Sequence, residues 1–183
     1  VPVSATMIRE NPMKYWEYLP KVVKAFFSKK VCIVGTESCC KSTLVRKLAN
    51  VFNTNYVHET GVDYCLKYKN ELTENMFDSI AMQHWLNQEE ALEQSNKVLF
   101  VDSDAIITQY YAGMYLDYTS DLIDELIKKQ EYDLVLYLEP DVKWVDDGLR
   151  FAGEQAVRNK NNKALKVDYD YHGIEVKCIS GNY

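Results

Sequence analysis

Glycine and proline are scarce in this chain, at 7 and 4 of 183 residues, so neither a collagen-like repeat nor a flexible Gly/Pro-rich linker has the composition it needs. Cysteine is too sparse, and odd in number, for a disulfide framework: Cys32, Cys39, Cys40, Cys65 and Cys178 contain no C-x-x-C pair, which also argues against a zinc site. Basic residues are fewer than acidic ones, 21 against 27, for a net charge of −6. That balance disfavours a general nucleic-acid surface, which needs clustered Lys and Arg to neutralise a phosphate backbone. No apolar run approaches the ~18 residues of a membrane span, and residues 1–27 lack a signal-peptide layout. What is present is ordinary for a soluble fold: 47% hydrophobic and 26% charged residues, enough to bury one core. A cytoplasmic protein with reduced thiols is the plain expectation.

The hydrophobic pattern alternates strand with helix. Val31–Val34 is a short β-branched run ending at Gly35, and it reads as a buried parallel strand. Ser42–Phe52 follows as a helix, with Leu44, Leu48 and Val51 expected on its apolar face. Asn55–His58, Lys97–Asp102, Leu134–Leu138 and Glu175–Ile179 are further strands, and Thr73–Asn96 and Ser120–Lys129 further helices. This order predicts an α/β three-layer fold around a parallel five-stranded sheet. In such sheets ligands sit beyond the carboxyl ends of the strands, so polar residues just after strands carry the functional interest.

The first of those segments is Gly35-Thr36-Glu37-Ser38-Cys39-Cys40-Lys41-Ser42, the frame G-x-x-x-x-G-K-[ST] with Cys40 in place of the second glycine. In that frame backbone N–H groups at a helix N-terminus wrap phosphates, Lys neutralises them, and the hydroxyl ligates magnesium. Gly35, Glu37, Ser38, Cys39, Cys40, Lys41, Ser42 and Thr43 are accordingly assigned to ATP, and Ser42 with Asp102, at the end of a hydrophobic strand, to Mg²⁺. Glu59, after the second strand, and Asp104 are the two candidates to bind or deprotonate an acceptor hydroxyl. A solvated surface Glu is the plain alternative for Glu59 and an acidic helix cap the plain alternative for Asp102, while Asp104 could reach either the metal or the hydroxyl. Arg150 and Arg158 lie in and after a Gly-flanked segment leading into Lys/Asn-rich sequence, expected to be a mobile lid that brings cations to the transferring phosphate. His84, on a helix stripe, reads as packed rather than catalytic. The thiols of Cys39 and Cys40, beside Lys41 at a helix start, are expected to be acidified.

Three ordered segments, Gly35–Thr43, Lys97–Asp104 and 144–150 (WVDDGLR), together resemble the ribosylnicotinamide kinase domain of NadR-type proteins, the bifunctional nicotinamide-mononucleotide adenylyltransferase/ribosylnicotinamide kinases of NAD salvage. Val3-Ser4-Ala5-Thr6-Met7-Ile8-Arg9 resembles the I-S-x-T-x-I-R motif near the end of that family's adenylyltransferase domain, while the upstream H-x-G-H motif has no counterpart here. The resemblance implies that residues 1–27 are the tail of a nucleotidylyltransferase domain and 28–183 a P-loop kinase domain. It implies transfer of the γ-phosphate of ATP to the 5′-hydroxyl of nicotinamide riboside, with Lys41, Glu59, Asp104 and Arg150 acting on the reacting groups. It also places the loop 181–183 near adenine. Cys40 and Val62 depart from the family's Gly and Arg. A nucleotide- or NAD-sensing regulatory module and a kinase of another nucleoside are the rival readings, and homo-oligomerisation is left open.

Overall fold

The computed structural model describes residues 3–142 and 154–181. Two short helices, α1 (Ala5–Glu10) and α2 (Lys21–Phe27), flank a 3-10 turn (Trp16–Tyr18) and lead into β1 (Lys29–Val34). There follow α3 (Lys41–Phe52), β2 (Tyr56–Val57), α4 (Thr60–Tyr68), α5 (Glu74–Leu92), β3 (Val98–Asp102), α6 (Ala105–Leu116), α7 (Asp121–Lys129), β4 (Leu134–Leu138), α8 (Gln155–Tyr171) and β5 (Lys177–Ile179). The five strands form one parallel sheet in the order β2-β3-β1-β4-β5. The expected fold class is therefore the observed one.

Strand β1 is central, and its side chains alternate between two apolar layers. Cys32 and Val34 face a cluster that includes Val101, Ile106, Tyr137 and Tyr169, while Ile33 faces Val45, Ala49, Phe100 and Leu138. Burial on both faces is why the run reads as continuous hydrophobic sequence rather than as polar alternation. The chain leaves β1 toward β3 and β2 on one side and reaches β4 and β5 on the other, so the sheet's switch point lies at the carboxyl end of β1. Register sets Ile33 beside Asp102 there.

Four expectations need correction. The fully buried stripe of α3 is Lys41, Val45 and Ala49; Leu44 and Leu48 pack against the core as expected, but Val51 is 78% exposed. Helices α4 and α6 went unread, because α6 is apolar nearly all round and offers no clear period. Strands β2 and β5 are shorter than the expected Asn55–His58 and Glu175–Ile179, as suits the edge positions of the sheet. Lastly, the basic stretch expected as lid is largely α8, whose Arg158, Asn162, Leu165 and Tyr169 are buried at helical spacing.

Candidate functional site

The loop after β1 takes the shape its frame requires. Gly35 has φ +140°, and a Cβ there would lie 2.6 Å from the Leu138 carbonyl oxygen and 2.9 Å from Cys39 Sγ. Ser38 and Cys40 also have positive φ, 57° and 66°, and Cys40 is the left-handed residue that precedes α3. A glycine would adopt that conformation without strain, so the place where the frame prefers glycine is also the place the backbone does. Lys41 is buried at the first position of α3 and donates from Nζ to the Thr36 carbonyl at 3.1 Å.

The Cys39 thiol differs from expectation. Cys39 is buried and donates to the Thr36 carbonyl, and burial raises its pKa despite the opposing pull of Lys41. Desolvation of the thiolate outweighs the helix terminus and the ammonium together.

At the switch point Asp102 is 1% exposed, and neither carboxylate oxygen has a hydrogen-bond partner. Burial and the charge of Glu59 push its pKa up to about 6, against the pull of Lys41 and the Ser42 hydroxyl. An orphaned, buried carboxylate next to a serine hydroxyl is a hard-oxygen donor pair, and it fits magnesium, which keeps most of its waters and takes one or two protein ligands.

Asp104, two residues on, is equally buried and fully engaged. Its Oδ1 accepts from Ile107 N at 3.0 Å and from the Tyr169 hydroxyl at 2.9 Å, and Oδ2 accepts from Gln130 Nε2 at 3.4 Å. It caps α6 and ties α8 to the sheet, so the capping role weighed for Asp102 falls to its neighbour. Burial raises its pKa to about 6 in spite of those bonds.

Beside the loop lies a cavity of about 210 Å³, walled by Glu37, Lys41 and Ser42 on one side and by Glu59, Thr60, Gly61 and Val62 on another. Tyr111 and Tyr115 of α6 stack along it, with ring centroids 5.5 Å apart and planes 16° from parallel. His84 braces its floor: Nε2 lies 3.1 Å from the Ser103 carbonyl, which fixes the proton on that nitrogen, so Nδ1 accepts from the Thr60 hydroxyl at 3.1 Å. Burial lowers the His84 pKa, keeping the ring neutral; it is packed, as expected, though it reaches the cavity wall.

A family model described as AAA domain matches residues 30–183. The chain belongs to this AAA-domain family. Within it, the chain is 41% identical over 194 residues to the "Trifunctional NAD biosynthesis/regulator protein NadR" of Salmonella typhimurium, covering 97% of this chain and 47% of that protein. The protein of the same description from Escherichia coli is 39% identical, over 94% of this chain and 43% of its own length. The chain thus spans about half the length of the curated relatives it matches. The crystal structure of a NadR protein in complex with NR superposes with a TM-score of 0.83 at 26% identity, covering 97% of this chain and 52% of that one. A thymidylate kinase from Candida albicans, at 14% identity and TM-score 0.58 over 85% of each chain, shares the fold.

Arg158 departs most from its assignment in this AAA-domain chain. It is 1% exposed in α8, donating to the carbonyls of Val142 (3.0 Å) and Ser38 (3.4 Å) and to Gln155 Oε1 (3.0 Å). It is a fixed prop under the phosphate loop, and the i, i+4, i+7, i+11 spacing of Arg158, Asn162, Leu165 and Tyr169 carried that signal among the lysines and asparagines. Arg150 and the residues beyond Gly181 lie outside the described residues. Sequence reasoning missed Tyr111 and Tyr115, whose spacing of four on an unread helix was the available sign.

Proposed function

We propose that this chain transfers the γ-phosphoryl group of ATP to the 5′-hydroxyl of nicotinamide riboside, giving nicotinamide mononucleotide. The observation that carries the reading is the adjacency of a glycine-hinged phosphate loop, an orphaned buried Asp102 and a tyrosine-walled cavity bordered by Glu59. The similarity to NadR proteins, one of them crystallised in complex with NR and another with NAD and AMP-PNP, supports the choice of acceptor and donor.

In this reading the amides of the loop and Lys41 hold the β- and γ-phosphates, and Ser42 with Asp102 holds Mg²⁺. The ion supplies charge neutralisation to the phosphoryl oxygens when bound. Glu59, half-buried at the cavity edge, orients the acceptor hydroxyl and takes its proton. Asp104, its oxygens already engaged, holds the wall against which the acceptor sits. The transfer needs positioning and charge neutralisation, and no covalent intermediate on the protein. The same reading takes Arg150 as a cation for the transferring phosphate and residues 1–27 as the tail of a nucleotidylyltransferase domain. Among the described residues no helix is long and apolar enough to cross a membrane.

The test is direct. The purified chain with Mg²⁺-ATP and nicotinamide riboside should form nicotinamide mononucleotide, read by mass spectrometry, and Lys41→Ala should lose at least about 10²-fold in kcat/KM. No product, or equal product from the Lys41 variant, sinks the reading.

A further inference from the structure

Glu37 belongs to the phosphate loop by sequence, yet its side chain serves the neighbouring cavity. Its Oε1 accepts a hydrogen bond from the Tyr115 hydroxyl at 2.8 Å, and the carboxylate lines the acceptor wall. Its Oε2 is buried and has no hydrogen-bond partner. A carboxylate oxygen taken out of water without a donor is costly, so the position makes sense where a ligand supplies positive charge.

A second, independent feature specifies the shape of that ligand. Tyr115, held by Glu37, stacks on Tyr111, and both rings face the cavity, a surface suited to a flat aromatic group. Among the other ionisable groups on this wall, Glu59 and Asp104 are carboxylates, His84 is held neutral by burial, and His58 faces Asp63 at 3.4 Å. Lys41 is the lysine in the lining, and in the proposed reaction the phosphates take up its charge. An aromatic-walled cavity with carboxylate charge favours a cationic ring over a neutral one of the same outline.

We infer that Glu37 is a specificity-determining residue that reads the positive charge of the acceptor's base, selecting a pyridinium nucleoside over neutral nucleosides. The inference rests on the kinase reading above and deepens it. Glu37 makes no bond to the reacting hydroxyl; it acts on acceptor binding.

The experiment compares kcat/KM for nicotinamide riboside with that for its reduced, uncharged dihydro form and for uridine, in the wild-type chain and in Glu37→Gln, with the KM for ATP measured throughout. The wild type should prefer the cationic acceptor by about tenfold or more. Glu37→Gln should lose about tenfold on the cation, mainly through KM, while the dihydro form and the KM for ATP stay within about twofold; a partly buried charge contact has that size. Tyr115→Phe, which keeps the carboxylate, should retain the preference. An equal fall on all acceptors, or a preference that survives in Glu37→Gln, overturns the proposal. A wild type that treats charged and reduced acceptors alike overturns it too, whether or not the variant folds. If the wild type phosphorylates none of the three, it is the kinase reading that has failed.

Discussion

Asp102 ends β3 and Asp104, two residues on, caps α6; each is 1% exposed with a pKa pushed up to about 6. Their surroundings are opposite. Asp104 is surrounded by donors from α6, α8 and Gln130, whereas both oxygens of Asp102 go without a partner. Equal burial and similar titration thus conceal different roles. A satisfied carboxylate repays its desolvation inside the fold, and an orphaned one at a strand end is kept at a cost to stability, which is what a binding function requires. Between them Ser103 holds a left-handed φ of 71°, with its carbonyl accepting from His84 Nε2 at 3.1 Å.

The sharpest way to break this contrast is to neutralise each aspartate. Asp102→Asn should lower kcat by about 10²-fold or more while leaving thermal stability unchanged or raised, since it removes a buried unpartnered charge. Steady-state kinetics beside a thermal melt in EDTA checks both halves; a large loss of Tm without loss of kcat would reverse the assignment.

The second test removes the satisfying partner instead. Tyr169→Phe deletes one donor to Asp104 and leaves a buried carboxylate one bond poorer, so urea unfolding should show about 1–2 kcal/mol of destabilisation with kcat nearly unchanged.

The pH dependence sharpens the comparison further. A carboxylate at about 6 in the folded chain and near 4 unfolded makes the folded state take up protons first, so its contribution to stability rises as pH falls from about 6 toward 4. His84 works oppositely: its lowered pKa lets the unfolded chain protonate first, and stability is lost as pH falls below about 6.5. Comparing variants isolates the aspartate. In EDTA, Asp104→Asn should gain about 1 kcal/mol less than the wild type between pH 7 and pH 5, measured by urea titration at each pH. Parallel curves would place the proton elsewhere.

The smallest effect concerns the loop. Cys40→Gly relieves a left-handed non-glycine conformation and should raise Tm slightly, for about 1 kcal/mol, and tighten ATP binding by a few-fold in calorimetry. With Cys39 buried and its pKa raised, iodoacetamide should leave Cys39 unmodified in the folded chain, which peptide mapping reads directly.

Much of the scaffold was legible because local rules suffice for it. The β-branched run at β1, the loop frame at Gly35–Ser42 and the acidic end of β3 each state their structure within a few residues. The helix caps Ser120 and Asp104 are just as local, yet the sequence pattern pointed Asp104 to a metal or hydroxyl and marked no cap at Ser120. Less of the site was legible. Glu37 belongs by position to the phosphate loop, and only its bond to Tyr115 reveals that it faces the acceptor. Arg158 looked like a free cation because basic, asparagine-rich sequence resembles a solvated lid; its burial depends on carbonyls from Ser38 and Val142 meeting it from two other segments.

The sequence by itself determined the parallel α/β class, the position of the phosphate loop and the candidate acids at strand ends, since hydrophobic period and a glycine-lysine frame are properties of contiguous residues. Tertiary structure alone decided which carboxylate is satisfied and which is left buried without a partner. Asp104 takes one donor from its own helix, Ile107 N, but Asp102 and Asp104 are further separated by the donors Tyr169 of α8 and Gln130, which come from residues far away in the chain.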